Sequence, residues 1–137
     1  MSAMADRATV NDLLARARGG LDRLEPADAD AAMRAGALLV DTRCAELREA
    51  EGIVPGSVHV PLSVLYWRLD PASGHSVPAL TDLDRQVILL CAHGYSSSLA
   101  AATLRELGFA RATDVVGGFE AWQAAGLAVE ALRPPEA

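Results

Sequence analysis

The sequence predicts a single α/β domain built on a mainly parallel sheet. The chain has 137 residues, the size of one domain with its own core. Two short runs, Ala37-Leu-Leu-Val-Asp41 and Gln86-Val-Ile-Leu-Leu90, are almost continuously apolar, as strands covered on both faces are. Between the strand-like runs, apolar residues recur at helical spacing, and strands alternating with helices make parallel sheets.

Each element has a local reason. Val10, Leu13, Leu14 and Ala17 share a helical face, with Thr9 or Asn11 as cap and Gly19-Gly20 as the stop. Leu21-Asp-Arg-Leu24 is expected as a short edge strand. Pro26 opens a helix with Asp28 and Asp30 near its start, which suits the helix dipole, and Gly36 closes it. Ala37–Asp41 is a buried strand, and Arg43 to Glu51 is a helix ended by Gly52. Val54-Pro-Gly-Ser57 is a turn before the strand Val58-His-Val60. Leu62 to Leu69 reads as a helix and Asp70 to Gly74 as a loop. Gln86–Leu90 is the clearest strand. A helix follows from Leu99 to Leu107, then a strand Thr113–Val116, then a helix Phe119–Ala125 stopped by Gly126. The count is five strands. Residues 1–20 form an N-terminal helical extension, 21–130 the domain, and 131–137 a flexible tail.

Composition narrows the function. Twelve Arg against 18 Asp and Glu give a net charge of −6, so neither a nucleic acid nor an anionic membrane surface is an expected partner. The chain contains no Lys, which excludes Schiff-base chemistry and a Walker A phosphate loop. No apolar run reaches the length of a membrane span, and Met1 to Arg18 lacks the apolar core of a signal peptide. Two Cys make no disulfide framework, and His59, His75 and His93 show no ligand spacing. A metal is not expected, and a reducing cytoplasm is the expected compartment.

Chemistry concentrates at Cys91-Ala-His-Gly-Tyr-Ser-Ser-Ser98. A Cys at the carboxyl end of a buried strand, before a Gly-containing turn and a helix start, lies where open α/β sheets bind ligands. Unpaired N–H groups of such a turn converge as an anion nest, and the helix start adds partial positive charge. Both favour a thiolate at Cys91 and an anion carried on its sulfur. Gly94 serves the loop geometry. His93 is a candidate general base or a solvent-facing loop residue. Ser96, Ser97 and Ser98 are expected as cap and first-turn residues whose hydroxyls line the pocket.

With these residues in view, the chain resembles the single-domain rhodaneses, a sulfurtransferase family. Cys91-Ala-His-Gly-Tyr-Ser96 is similar to the family's six-residue active loop, which opens with the persulfide-forming Cys. Leu39-Val-Asp-Thr-Arg43 with Glu46, the turn Val54-Pro-Gly-Ser-Val58, and Val116-Gly-Gly-Phe-Glu-Ala-Trp122 resemble three further family motifs in the right order. The resemblance implies a rhodanese-like fold and a sulfane sulfur moved from a donor such as thiosulfate to cyanide or a thiol. Cys91 would be catalytic, with Ala92, His93, Gly94, Tyr95, Ser96 and Ser97 forming the loop. It implies no cofactor, small-molecule donor and acceptor partners, and a protein sulfur acceptor as a further option. The alternatives are a non-enzymatic interaction module of the same fold, or a Cys-based phosphatase or arsenate reductase. The last two need Cys-x₅-Arg, and Ser97 stands at the Arg position.

Several residues carry two readings. Asp41 and Arg43 either touch substrate or pair with each other. Arg48 and Arg68 are either cations at the pocket mouth or solvated surface residues. Tyr66 and Trp67 either shape the rim or pack. Gly117-Gly118 permits close backbone approach beneath the loop. Cys44 is a resolving thiol for Cys91 or an incidental one.

Overall fold

The computed structural model describes residues 6–132. Within the described residues, helix α1 (Val10–Gly19) starts at Thr9, whose hydroxyl accepts from the Asp12 N–H while Asp12 accepts from the Thr9 N–H. This reciprocal cap satisfies two otherwise unpaired donors. Then come α2 (Pro26–Arg34), β1 (Leu38–Asp41), α3 (Ala45–Glu51) and β2 (Val58–His59). A 3₁₀ turn at Leu62–Val64 leads into α4 (Leu65–Leu69), and a second at Pro78–Leu80 precedes β3 (Val87–Leu90). The chain closes with α5 (Ser96–Glu106), β4 (Thr113–Asp114) and α6 (Gly118–Ala124).

The sheet is parallel throughout, in the order β2-β1-β3-β4. Alternate residues of the two central strands enter different halves of the core. Leu38, Val40, Val87 and Leu89 pack with Leu65, Leu69, Leu104 and Phe109. Leu39, Ile88 and Leu90 pack with Ala29, Phe119 and Trp122 on the other face. A strand with helices on both sides has no solvent face, which is why these runs show no polar alternation. Trp122 is wholly buried, its indole N–H donating to the Ala128 carbonyl at 2.9 Å.

Among the described residues four strands form where the sequence suggests five. Of Leu21–Leu24, only Leu24 joins the sheet, through one parallel bridge to Val115. Leu21 still donates to the turn at Arg18, and Pro26 starts α2 two residues after Leu24. No length remains for a ladder, and proline has no N–H to extend one. The segment from Leu62 to Leu69 splits into a 3₁₀ turn and a short α-helix. Helix α5 begins three residues before Leu99, so the serines lie inside it. Of the expected tail, residues 133–137 lie outside the described residues.

The strand order places a site. From β1 the chain steps to one side for β2, then crosses to the other side for β3. Connections leave β1 and β3 in opposite directions, opening a crevice at their carboxyl ends. Cys91 directly follows β3 there.

Candidate active site

Cys91 is 6% exposed, and four groups surround its sulfur. The Gly94 N–H donates to Sγ at 3.1 Å, and the Ser97 hydroxyl lies 3.2 Å away. Burial pushes the thiol pKa up. The hydroxyl and N–H of Ser97, the Ser96 hydroxyl and the Gly94 N–H outweigh it, and the net result is a pKa below the ordinary value of 9.0. Ser96 and Ser97 open α5, so the same first turn supplies unpaired N–H groups and the dipole's positive end.

Close backbone packing shapes the loop. Gly94 has φ of +82°, and a Cβ there would stand 2.7 Å from the Gly117 nitrogen. Gly118 has φ of +63°, and a Cβ there would stand 2.5 Å from the Cys91 carbonyl. Only glycine fits either position without moving backbone. The contact lets the start of α6 tether the loop from beneath. Phe119 N–H donates to the Cys91 carbonyl at 2.8 Å and Glu120 N–H to the Ala92 carbonyl at 3.1 Å. These bonds satisfy free donors of α6 and hold the loop from below, while the Gly94 and Ser97 N–H groups serve the sulfur.

Behind the sulfur lies a fully buried carboxylate that sequence reasoning missed. Asp114, in β4, accepts from the Ser97 and Ser98 hydroxyls at 2.7 Å each. Arg23 donates to both its oxygens, at 2.8 and 3.2 Å. The serines therefore do not cap α5; Tyr95 is the cap position, with no side-chain cap bond. An Asp within an apolar strand was the available signal, since a buried carboxylate needs partners.

The remaining candidates separate. His93 is exposed, with Nδ1–H donating to Glu120 at 2.6 Å on the rim of a groove that includes Tyr95 and Ala121. Asp41 and Arg43 pair with each other. Arg43 donates to both Asp41 oxygens, at 3.1 and 2.9 Å, and its guanidinium covers the Phe119 ring at 3.7 Å. Arg48 is not a solvated surface residue: it is nearly buried and donates to Asp41 at 3.2 Å. A buried carboxylate accepts several donors, and Asp41 holds the Arg48 head beside that of Arg43. Arg68 is exposed and donates to the His75 carbonyl at 3.1 Å. Trp67 is not packed away: it is 52% exposed and borders a cavity of about 360 Å³ with Tyr66 and Leu107. Cys44 is an exposed free thiol preceding α3. Among the described residues no cluster of His, Cys, Asp and Glu has the make-up of a metal site. No described helix is long and apolar enough to cross a membrane.

A parallel α/β sheet that presents a buried cysteine at the end of a central strand, under a glycine-shaped loop that opens a helix, defines a cysteine-loop α/β domain. The chain belongs to the rhodanese-like domain family, which it matches over residues 25–125. It is 40% identical over 102 residues to the thiosulfate sulfurtransferase GlpE of Pseudomonas savastanoi, covering 74% of this chain and 87% of that one. The GlpE of Stutzerimonas stutzeri is 38% identical, covering 74% and 84%. Among solved structures, a Rhodopseudomonas palustris protein described as of unknown function and a possible tyrosine phosphatase is 31% identical. It has a TM-score of 0.83, covering 90% of this chain and 95% of that one. The polysulfide-sulfur transferase of Wolinella succinogenes shares the fold, with a TM-score of 0.70 at 24% identity, covering 96% and 95%.

Proposed function

We propose that the protein is a sulfurtransferase that carries a sulfane sulfur on Cys91, with thiosulfate as a donor and cyanide or a thiol as the acceptor. The observation that carries this reading is the Cys91 sulfur itself. It is buried at the end of β3, receives the Gly94 N–H and sits beside the Ser97 hydroxyl, with its pKa lowered.

In the first step the Cys91 thiolate attacks the outer sulfur of thiosulfate. The sulfur–sulfur bond of the donor breaks and its electron pair leaves with sulfite. Cys91 now bears a persulfide whose outer sulfur holds the negative charge, and the loop N–H groups face that charge. In the second step cyanide attacks the outer sulfur, and the Cys91–sulfur bond breaks. Thiocyanate departs, and the electron pair returns to Cys91 as thiolate. Such two-step covalent transfer gives ping-pong kinetics.

Ala92, His93, Gly94, Tyr95, Ser96 and Ser97 form the receiving loop in this reading. Asp41, Arg43 and Arg48 support the adjoining strand end, and Arg68 is kept as an exposed cation available to an anionic donor. Residues 21–130 form the transfer domain, closed by the antiparallel bridge between Ile53 and Glu130. Both cysteines are free thiols, which suits a cytoplasmic setting. A protein thiol is a further acceptor class.

The test is the intact mass of the protein after thiosulfate treatment. A gain of one sulfur atom that cyanide removes, and that Cys91→Ala never shows, is the expected result. A parent protein that gains no sulfur, or a Cys91→Ala variant that still forms thiocyanate, would end this reading.

A further inference from the structure

The N-terminal helix is joined to the cysteine loop by more than packing. Helix α1 lies along α5, and from its last turn Arg18 reaches the loop. Its Nη2 donates to the Gly94 carbonyl at 2.8 Å and its Nε to the Ser98 hydroxyl at 3.1 Å. The guanidinium stands 5.9 Å from the Tyr95 ring centroid, within cation–π range. Between α1 and α2, Arg23 reaches the same carbonyl, its Nη2 donating to Gly94 at 3.1 Å while it holds Asp114. One carbonyl oxygen therefore receives two guanidinium groups. Both arginines precede residue 25, where the family match begins.

Gly94 is also the residue whose N–H donates to the Cys91 sulfur. Lacking a side chain, it has the least intrinsic restraint on its flanking peptide planes. Charge-assisted bonds, stronger than neutral ones, supply the restraint from outside. The second effect is electrostatic. The Ser97 hydroxyl bridges the buried Asp114 carboxylate and the sulfur. An uncompensated carboxylate there opposes an anion on Cys91. Arg23 offsets that charge, and Arg18 adds a second cation in a partly buried position where water screens it less.

From these contacts we infer that Arg18 and Arg23 are positioning residues for the sulfur chemistry, fixing the carbonyl side of Gly94 and offsetting the Asp114 charge from behind the loop. The N-terminal helix is then a working part of the site. This role presumes the sulfur-transfer reading above, whereas the effect on the Cys91 thiolate does not.

The test compares Arg18→Ala, Arg18→Lys and Arg16→Ala in the full chain. Arg16 is an exposed residue of the same helix and controls for net charge. Alkylation at Cys91 is followed against pH by peptide mass, which separates it from Cys44, and thiosulfate:cyanide kinetics are measured in parallel. In Arg18→Ala the alkylation midpoint should rise by about half a pH unit. Its kcat/KM for thiosulfate should fall about tenfold. Arg18→Lys should recover only part, because one ammonium cannot replace a planar fork that donates in two directions. Arg16→Ala should match the parent. Should Arg18→Ala fail to fold, Arg18→Gln takes its place, keeping most of the side-chain stem and losing the charge.

An alkylation profile for the neutral variant that overlays the parent's would overturn the inference, whatever happens to the melting temperature. So would an equal shift in Arg16→Ala. A shifted profile in a protein whose parent never forms a persulfide would support the arginine role and refute sulfur transfer.

Discussion

The Ser97 hydroxyl lies 2.7 Å from the Asp114 carboxylate and is the same group that stands 3.2 Å from the Cys91 sulfur. A hydroxyl has one proton to give. While Cys91 is a thiol, its S–H donates to Ser97 and Ser97 donates to Asp114. Once Cys91 ionises, the Ser97 proton serves the sulfur, and Asp114 keeps Ser98 and Arg23. The carboxylate is thus able to release one bond without being left bare.

Ser97→Ala should therefore impair Cys91 while preserving the fold. The variant removes a donor to the thiolate and leaves Asp114 with two other partners. A lost hydrogen bond to a charged group is worth about 1.5–3 kcal/mol, so kcat/KM for thiosulfate should fall by about tenfold to a hundredfold. The alkylation midpoint should rise with it. Parent-like values of both in a folded Ser97→Ala protein would show that the hydroxyl does not serve the sulfur.

The lowered Cys91 pKa also makes a prediction about stability. An acid whose folded pKa lies below its unfolded value stabilises the fold above the unfolded pKa and loses that contribution as pH falls through the folded pKa. The melting temperature of the parent, taken relative to Cys91→Ala, should thus rise with pH through that interval and level off above about pH 8.5–9. A difference that stays flat or shrinks with rising pH would mean that the fold does not favour the thiolate.

The sheet, the cysteine loop and the glycine pair beneath it are legible in the sequence because each is a local pattern. Val87–Leu90 has no polar residue, and Cys91 precedes a turn glycine and serines. The supports of the loop are not local. Arg23 and Asp114 are 91 positions apart, and Arg18 and Gly94 are 76 apart. No spacing rule links them; only the folded path of α1 along α5 does. The same reason misplaces Arg48, whose helical position marks it as a surface residue while the buried Asp41 carboxylate pulls its head inward. The edge strand at Leu21–Leu24 fails on competition, since the turn before it and Pro26 after it consume the segment.

Asp41 should matter to stability rather than to the sulfur. It is fully buried and takes hydrogen bonds from Arg43 and Arg48, both nearly buried. Removing one partner of a buried pair costs about 3–5 kcal/mol, because the other charge is left uncompensated. Asp41→Ala should shift the urea midpoint down by a corresponding amount. Its Cys91 alkylation profile, measured well below the transition, should stay close to the parent's. A urea midpoint equal to the parent's would show that the pair contributes nothing net.

Phosphate chemistry separates this site from the Cys-x₅-Arg enzymes. Transfer of a phosphoryl group spreads charge over three oxygens, and stabilising that charge needs a fixed cation such as a guanidinium. Here Ser97 holds the position, and its hydroxyl is committed to the Cys91 sulfur and Asp114. The arginines that do reach the loop, Arg18 and Arg23, bond the Gly94 carbonyl, whereas the Gly94 N–H is what faces the sulfur. A net charge of −6 adds mild repulsion toward phosphate esters. p-Nitrophenyl phosphate should consequently turn over negligibly under conditions in which thiosulfate and cyanide yield thiocyanate. Steady-state assays run side by side decide the matter. Phosphate release that vanishes in Cys91→Ser, from a parent protein that makes no thiocyanate, would assign the loop to phosphoryl transfer instead.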